Sequence, residues 1–309
     1  MLFQKNNFQK AAQHENGINR RLFLAYVSAL YSIPTIGWTA NVNRRMKFAI
    51  NPFSIGVASG DANSTSVVLW TRLAPKPLDP DGGMPNVGVP VQWRLATDEG
   101  MNNVIASGQQ LATPQLGHSI HVTAGQLKPD TWYWYQFSVN GEESVVGRTR
   151  TMPPRFSNPK QLSFAAASCQ SLEQGYYTAY DRMAEDELDI IFHLGDYIYE
   201  YTAGNQGNIR KHHGGEIESL SDYRVRHAQY KLDPALQKAH ARCPWFVTWD
   251  DHEVDNNCAA EISEQKNVKP VDFLIRRAAA YQAFYENMPL RRTSIPTGPN
   301  LQLYRRGAF

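Results

Sequence analysis

Cysteine is scarce in this 309-residue chain: Cys169, Cys243 and Cys258 are its three, irregularly spaced and with no CxxC pair among them. That excludes a disulfide framework and speaks against structural zinc. Charge of one sign is equally lacking. The 31 lysines and arginines are nearly balanced by 29 acids, leaving a net +2 spread along the sequence. There is accordingly no nucleic-acid-binding footprint and no polybasic membrane patch. Long apolar runs are missing too. The best candidate, from Leu22 to Trp38, is broken by Pro34 and, at about 17 residues, sits at the lower limit of a membrane span, which argues against a stable transmembrane anchor. The sequence also shows no internal repeat and no low-complexity tract. What is present, 42% hydrophobic and 19% charged residues, suits a globular protein with a substantial buried core and room for two domains.

The N-terminus is informative. In Asn19-Arg20-Arg21-Leu22-Phe23-Leu24, paired arginines precede a moderately apolar stretch, a pattern that resembles a twin-arginine export signal. Residues 1–45 are therefore expected to be a cleaved signal segment, with the twin-arginine export machinery as a partner and a periplasmic, cell-surface or secreted destination. The plainer alternative is an accidental Arg-Arg ahead of a buried helix.

From about residue 50 to 152, short runs rich in Val, Thr, Trp and Tyr alternate with turn residues. Strands are predicted at 66–72, 89–96, 120–124, 132–139 and 145–151. Asp79-Pro80-Asp81-Gly82-Gly83 breaks the pattern, and Asn140-Gly141 between two alternating runs signals a hairpin. Leu127-Lys128-Pro129-Asp130-Thr131-Trp132-Tyr133 resembles the turn into a late strand of a fibronectin-type sandwich, where a tyrosine hydroxyl bonds back to the corner. An all-β, fibronectin- or immunoglobulin-like sandwich follows over 50–152. Pro153-Pro154 and Ser157-Asn158-Pro159 then read as a linker. Beyond it, strands at 162–167, 189–194 and 244–249 alternate with helices at 176–188, 221–241 and 271–287, and 301–304 begins a further strand. Within 221–241, Ser221 is a candidate cap and Asp233-Pro234 a break. This alternation predicts an α/β layer with a largely parallel sheet over 160–309.

In such sheets, ligands bind beyond the carboxyl ends of strands. Three predicted ends carry unusual residues. Ser168-Cys169-Gln170 offers a thiol that could serve a metal as thiolate, although a lone cysteine there is more often a small buried apolar group. In Gly195-Asp196-Tyr197-Ile198-Tyr199-Glu200, Gly195 permits a tight turn and Asp196 can bridge two cations. Tyr199, three residues on, can return to the same point as a phenolate, a ligand that trivalent iron favours; the alternative is an ordinary Gly-Asp turn with packing tyrosines. Trp249-Asp250-Asp251-His252-Glu253-Val254-Asp255-Asn256-Asn257 crowds acids that repel unless a cation or solvent intervenes. Its alternative is a solvated helix start capped by Asp250 or Asp251.

Together these three motifs, with Phe53-Ser54-Ile55-Gly56-Val57-Ala58-Ser59-Gly60-Asp61 and Leu69-Trp70-Thr71-Arg72 before them, resemble the PhoD-type alkaline phosphatases of the calcineurin-like metallophosphoesterase superfamily over about residues 50–306. The resemblance implies a purple-acid-phosphatase-like α/β core behind the sandwich, hydrolysing phosphate esters, both mono- and diesters, with Fe3+ and Ca2+. It makes Asp196 the bridging ligand, Tyr199 and Cys169 iron ligands, and Asp251 a ligand of the second metal. His252 would contact phosphate, as would Asn256 or Asn257. The implied mechanism is in-line attack by a hydroxide that the metals activate.

One feature departs from that pattern. Superfamily members complete the site with histidine and aspartate ligands from later strands, whereas His252 is the last histidine here. The expectation is thus a C-terminally incomplete core, with apolar faces of the 189–194 and 244–249 strands left open. The alternative function is an inactive truncated chain, or a non-catalytic secreted metal-binding module.

Overall fold

The computed structural model describes residues 47–307, so the expected signal segment, 1–45, lies outside the described residues. Eight short strands come first: β1 (Val57–Gly60), β2 (Val67–Arg72), β3 (Val89–Ala96), β4 (Val104–Ala112), β5 (Ser119–Ala124), β6 (Trp132–Val139), β7 (Glu142–Glu143) and β8 (Gly147–Arg150). β4, β3, β6 and β7 form one antiparallel sheet in that order, with β8 also paired to β6. The period-2 pattern decides which face is buried. Along β6, Tyr133, Tyr135, Phe137 and Val139 enter the core beside Val91 and Leu95 of β3 and Val67, Leu69, Ile120 and Val122 of the facing sheet. Asn140 and Gly141 join β6 to β7 with φ of 52° and 93°, the left-handed pair that a two-residue hairpin needs. The Tyr133 hydroxyl is bonded to Lys128 at its backbone N–H (2.9 Å) and carbonyl (3.3 Å), as the corner sequence predicts.

Four helices and three parallel strands follow: β9 (Phe164–Ala167), α1 (Thr178–Glu185), β10 (Ile190–His193), α2 (Leu220–Lys231), α3 (Pro234–His240), β11 (Trp245–Val247) and α4 (Pro270–Asn287). β10 lies between β9 and β11, parallel to both. β11 in turn runs parallel to β1, giving a six-stranded mixed sheet ordered β5-β2-β1-β11-β10-β9. The junction falls at Gly60 opposite Trp245, where a Cβ would stand 2.6 Å from the Trp245 carbonyl oxygen; only glycine allows so close an approach. β10 serves two cores. Ile190 and Phe192 pack against the sandwich residues, while Ile191 joins Trp245, Val247 and the helices on the other face. The Trp70 indole donates to the Glu286 carbonyl (3.0 Å), fastening β2 to α4.

Several boundaries differ from expectation for identifiable reasons. The cap of α2 is Ser219, not Ser221: its hydroxyl accepts from the Asp222 N–H, and the Asp222 carboxylate accepts from the Ser219 N–H. The break expected at Asp233-Pro234 is present and divides the 221–241 segment into two helices, because the Asp233 carboxylate caps a second start at Pro234. β1 and β4 were not expected; β1 is only four residues long, and β4 is largely exposed with a weak apolar pattern. Residues 301–304 form no strand. Nor are β10 and β11 left open, since Ile190, Ile191, Trp245 and Val247 are all buried between the two cores; Phe164 and Leu194 are the exposed apolar residues of that edge. Among the described residues, no helix is long and apolar enough to cross a membrane.

Candidate metal centre

Because β9, β10 and β11 are parallel neighbours, their carboxyl ends lie along one edge of the sheet, and the loops leaving them run side by side. Gly195 ends β10 with φ of 112°, and a Cβ there would stand 2.5 Å from the Cβ of Asp250. A glycine is therefore required for the β10 and β11 loops to touch. The next residue, Asp196, is itself left-handed (φ 55°), as is Cys169 after β9 (φ 55°). Non-glycine residues in this region are uncommon and concentrate at functional sites. The two loops are laced by backbone bonds from the Cys169 N–H to the Gly195 carbonyl (3.2 Å) and from Gln170 to Asp196 (3.1 Å).

Ligand atoms of Asp196, Asp251 and His252 lie within 4.8 Å of one another. Asp196 is buried, and its Oδ1 has no hydrogen-bond partner. Its Oδ2 accepts from the Tyr199 hydroxyl (3.2 Å), and the Cys169 thiol lowers the pKa of this carboxylate. Burial raises the Asp196 pKa against the pull of His252, and the Asp251 charge raises it further. Burial and the Asp196 charge hold the Tyr199 phenol well above its ordinary value. A bare buried carboxylate oxygen facing a second carboxylate is costly on its own and suits a cation. Of the residues predicted from sequence, Asp196, Asp251 and His252 are thus drawn to one point, with Tyr199 bonded to Asp196, while Cys169 is exposed and lies outside that group. The Asn256 and Asn257 side-chain amides instead both donate to Glu264 (2.7 and 2.6 Å), while the Asn257 N–H donates to Asp251 (2.6 Å).

Three groups without an assigned role in the sequence reading hold this arrangement. Glu253 is fully buried, and its carboxylate accepts from the N–H groups of Asp196 (3.0 Å), Tyr197 and Asp250 (2.7 Å). Burial pushes it up to about 8. The acidic run is therefore no capped helix start: residues 251–257 are turns, and Glu253 faces inward. Glu200, also buried, binds His252 Nδ1 at 2.8 Å through one oxygen and accepts the Asn256 N–H (3.0 Å) through the other. Burial alone would lower the His252 pKa, but the Glu200 hydrogen bond and charge outweigh it and raise the value above the usual 6.5. The ring is flanked by Tyr199 and Tyr201, with centroids at 4.2 and 5.3 Å. Behind Glu200, Arg226 donates to the Tyr199, Tyr201 and Gly215 carbonyls. Both glutamates stand within four residues of a predicted ligand; Arg226 carries no local signal at all.

Loops from parallel strand tips, bringing carboxylates, an imidazole and a phenol together at the edge of the sheet, define an α/β protein with a candidate site at that edge. Residues 164–309 match the family model described as PhoD-like phosphatase, and residues 39–153 match PhoD-like phosphatase, N-terminal domain. Alkaline phosphatase D of Bacillus subtilis (strain 168) is 54% identical over 268 residues, covering 85% of this chain and 46% of that protein. A solved structure described as PhoD superposes with a TM-score of 0.82 at 54% identity, covering 84% of this chain and 50% of that one. The chain belongs to the PhoD-like phosphatase family. It spans about half the length of the curated relative it matches.

Proposed function

We propose that this chain is an exported metal-dependent phosphomonoesterase and phosphodiesterase. Its architecture on this reading is a fibronectin-like sandwich ahead of a purple-acid-phosphatase-like α/β core. The observation that carries the proposal is the convergence of Asp196, Asp251 and His252 within 4.8 Å around a buried, unpartnered Asp196 oxygen. The donors fit two kinds of cation. Cys169, Tyr199 and Asp196 would hold a trivalent iron, and the Asp251 carboxylate would hold a hard ion such as Ca2+. Bound there, the cations would supply Lewis-acid polarisation of a phosphoryl oxygen and acidify water.

His252 holds its Nδ1 proton against Glu200, which leaves Nε2 for a phosphoryl or leaving-group oxygen. Its raised pKa keeps that nitrogen protonated to a higher pH than in a free imidazole, so it can donate while charge develops on phosphate oxygen. Tyr199 and Tyr201 wall the ring and fix its plane. The Arg20-Arg21 pair supports export by the twin-arginine route.

The test is metal content of the purified protein by elemental analysis, paired with turnover of a chromogenic phosphomonoester and phosphodiester. Iron that disappears in both Asp196→Ala and Cys169→Ala is expected. Unchanged iron in the two variants would sink the ligand assignment, and bound metal without turnover of either ester would favour a non-catalytic metal-binding module.

A further inference from the structure

The Asn256 and Asn257 side chains share one acceptor atom. Glu264 Oε2 receives the Asn256 amide at 2.7 Å and the Asn257 amide at 2.6 Å. Through their backbones the same two residues are tied to the candidate metal centre. The Asn256 N–H donates to Glu200, the carboxylate that holds His252 Nδ1, and the Asn257 N–H donates to Asp251 Oδ2 (2.6 Å). Two amide donors are thus rooted beside His252 and Asp251 while their N–H groups point at an anionic oxygen of the chain itself. Asn257 keeps this pose with a left-handed φ of 51°, a conformation that non-glycine residues adopt mainly where function demands it.

The segment that carries Glu264 is anchored just before it. Ala259 and Ile262 exchange backbone bonds (3.0 and 2.9 Å), and the buried Ser263 hydroxyl donates to Asp255 Oδ2 (2.5 Å), which Arg276 of α4 fixes in turn through Oδ1 (3.1 Å). Glu264 itself is exposed, as is Asn257, and Asn256 is half-buried. Its carboxylate can therefore return to water without stranding a buried charge, and a ligand can reach both amides. The same carboxylate stands near the imidazole. Burial, the Glu200 charge and then the Glu264 charge push the Tyr201 phenol up to about 12, and the Tyr201 ring lies 5.3 Å from that of His252. To an amide donor, carboxylate and phosphoryl oxygens are the same kind of acceptor. We propose that Glu264 is a displaceable latch, holding the Asn256 and Asn257 amides at rest and yielding them to an oxygen of a phosphate group that arrives at His252. This rests on the phosphate-ester hydrolysis proposed above. The latch weakens phosphate binding, because only molecules with released amides are competent. A Glu264 that merely kept the asparagines in place would strengthen it.

The opposite signs make the test. Inorganic phosphate is titrated calorimetrically into the purified full chain, Glu264→Ala and Glu264→Gln, with ester turnover measured on the same samples. Glu264→Ala should bind phosphate about two- to fivefold more tightly than wild type, the range expected for releasing exposed charged contacts. Glu264→Gln loses the charge but keeps a carbonyl for the amides, so it should fall between the two. The gain in Glu264→Ala should vanish when Asn256→Ala and Asn257→Ala are added to it. Equal or weaker phosphate binding by Glu264→Ala would overturn the latch. So would identical affinities of the Ala and Gln variants, which indicate charge alone, or a gain that survives loss of both asparagines. If turnover persists in those cases, the latch fails and the hydrolase reading stands; no phosphate binding and no turnover in any of the proteins would overturn both.

Discussion

Lys231 is 1% exposed, with its ammonium 3.1 Å from the Tyr197 hydroxyl and 4.6 Å from the centre of the Trp70 ring. Among the described residues no carboxylate pairs with it, and burial pulls its pKa from 10.5 to about 7. The sign follows from counting protons. Between about pH 7 and 10.5 the unfolded chain holds a proton on this side chain that the folded one has released, so stability rises with pH across that window. Below it, both states are protonated and the full desolvation cost is present. A window of roughly 3.5 pH units at about 1.4 kcal/mol each sets a ceiling near 5 kcal/mol. Lys231→Met removes that cost and also removes a hydrogen bond of about 1 kcal/mol and a cation–π contact of about 1–2 kcal/mol. The cost is larger than the contacts, so the variant should be more stable than wild type by roughly 2 kcal/mol at pH 7. Urea unfolding at intervals from pH 6 to 10 measures both proteins, and the difference between them cancels every other titrating group. It should shrink steadily above pH 7 and change sign at about pH 8.5. Parallel profiles, or a Lys231→Met protein weaker than wild type at pH 7, would refute the reasoning.

Glu253→Ala leaves three buried backbone N–H groups without an acceptor, at about 1–3 kcal/mol each; urea melts should show a loss of at least about 3 kcal/mol, with Glu253→Gln recovering part of it through its remaining carbonyl. Gly195→Ala would place a Cβ 2.5 Å from that of Asp250 at a φ of 112°, so bound iron should fall along with stability by more than about 1 kcal/mol. Iron content equal to wild type would show that the two loops need not touch. Glu200→Gln removes the hydrogen-bonded charge that raises the His252 pKa, so the imidazole resonance followed by NMR should titrate at lower pH than in wild type.

What could be read from the sequence was what local chemistry writes there. Alternating aromatics in 132–139 gave a strand and its buried face, Asn140-Gly141 a hairpin, and the corner sequence the Tyr133 contact. Turns made of short-range choices were misjudged by a residue or two, as at Ser219, because both serines fit a cap and only the reciprocal bond with Asp222 distinguishes them. The pairing of β1 with β11 could not be read at all. It joins Gly60 to Trp245 across most of the chain, and its enabling feature is the lack of a side chain.

The candidate site divides along the same line. Each ligand residue stands out at a strand end, but what makes a site of them is strand order, and no residue encodes that β9, β10 and β11 are neighbours. The contacts that fix the spacing are equally remote. Glu253 reaches Asp196 from 57 positions away and Glu200 reaches His252 from 52. These glutamates hold the frame of the candidate metal centre. Glu253 binds N–H groups of both the β10 and β11 loops, so the distance between Asp196 and Asp251 is set by a buried carboxylate and a missing Cβ at Gly195 before any cation arrives. A site spaced in advance spends little binding energy on ordering its loops, which leaves more of it for affinity. The cost is instead carried by folding, as two left-handed non-glycine residues, Cys169 and Asp196, and an aspartate oxygen without a donor at the centre.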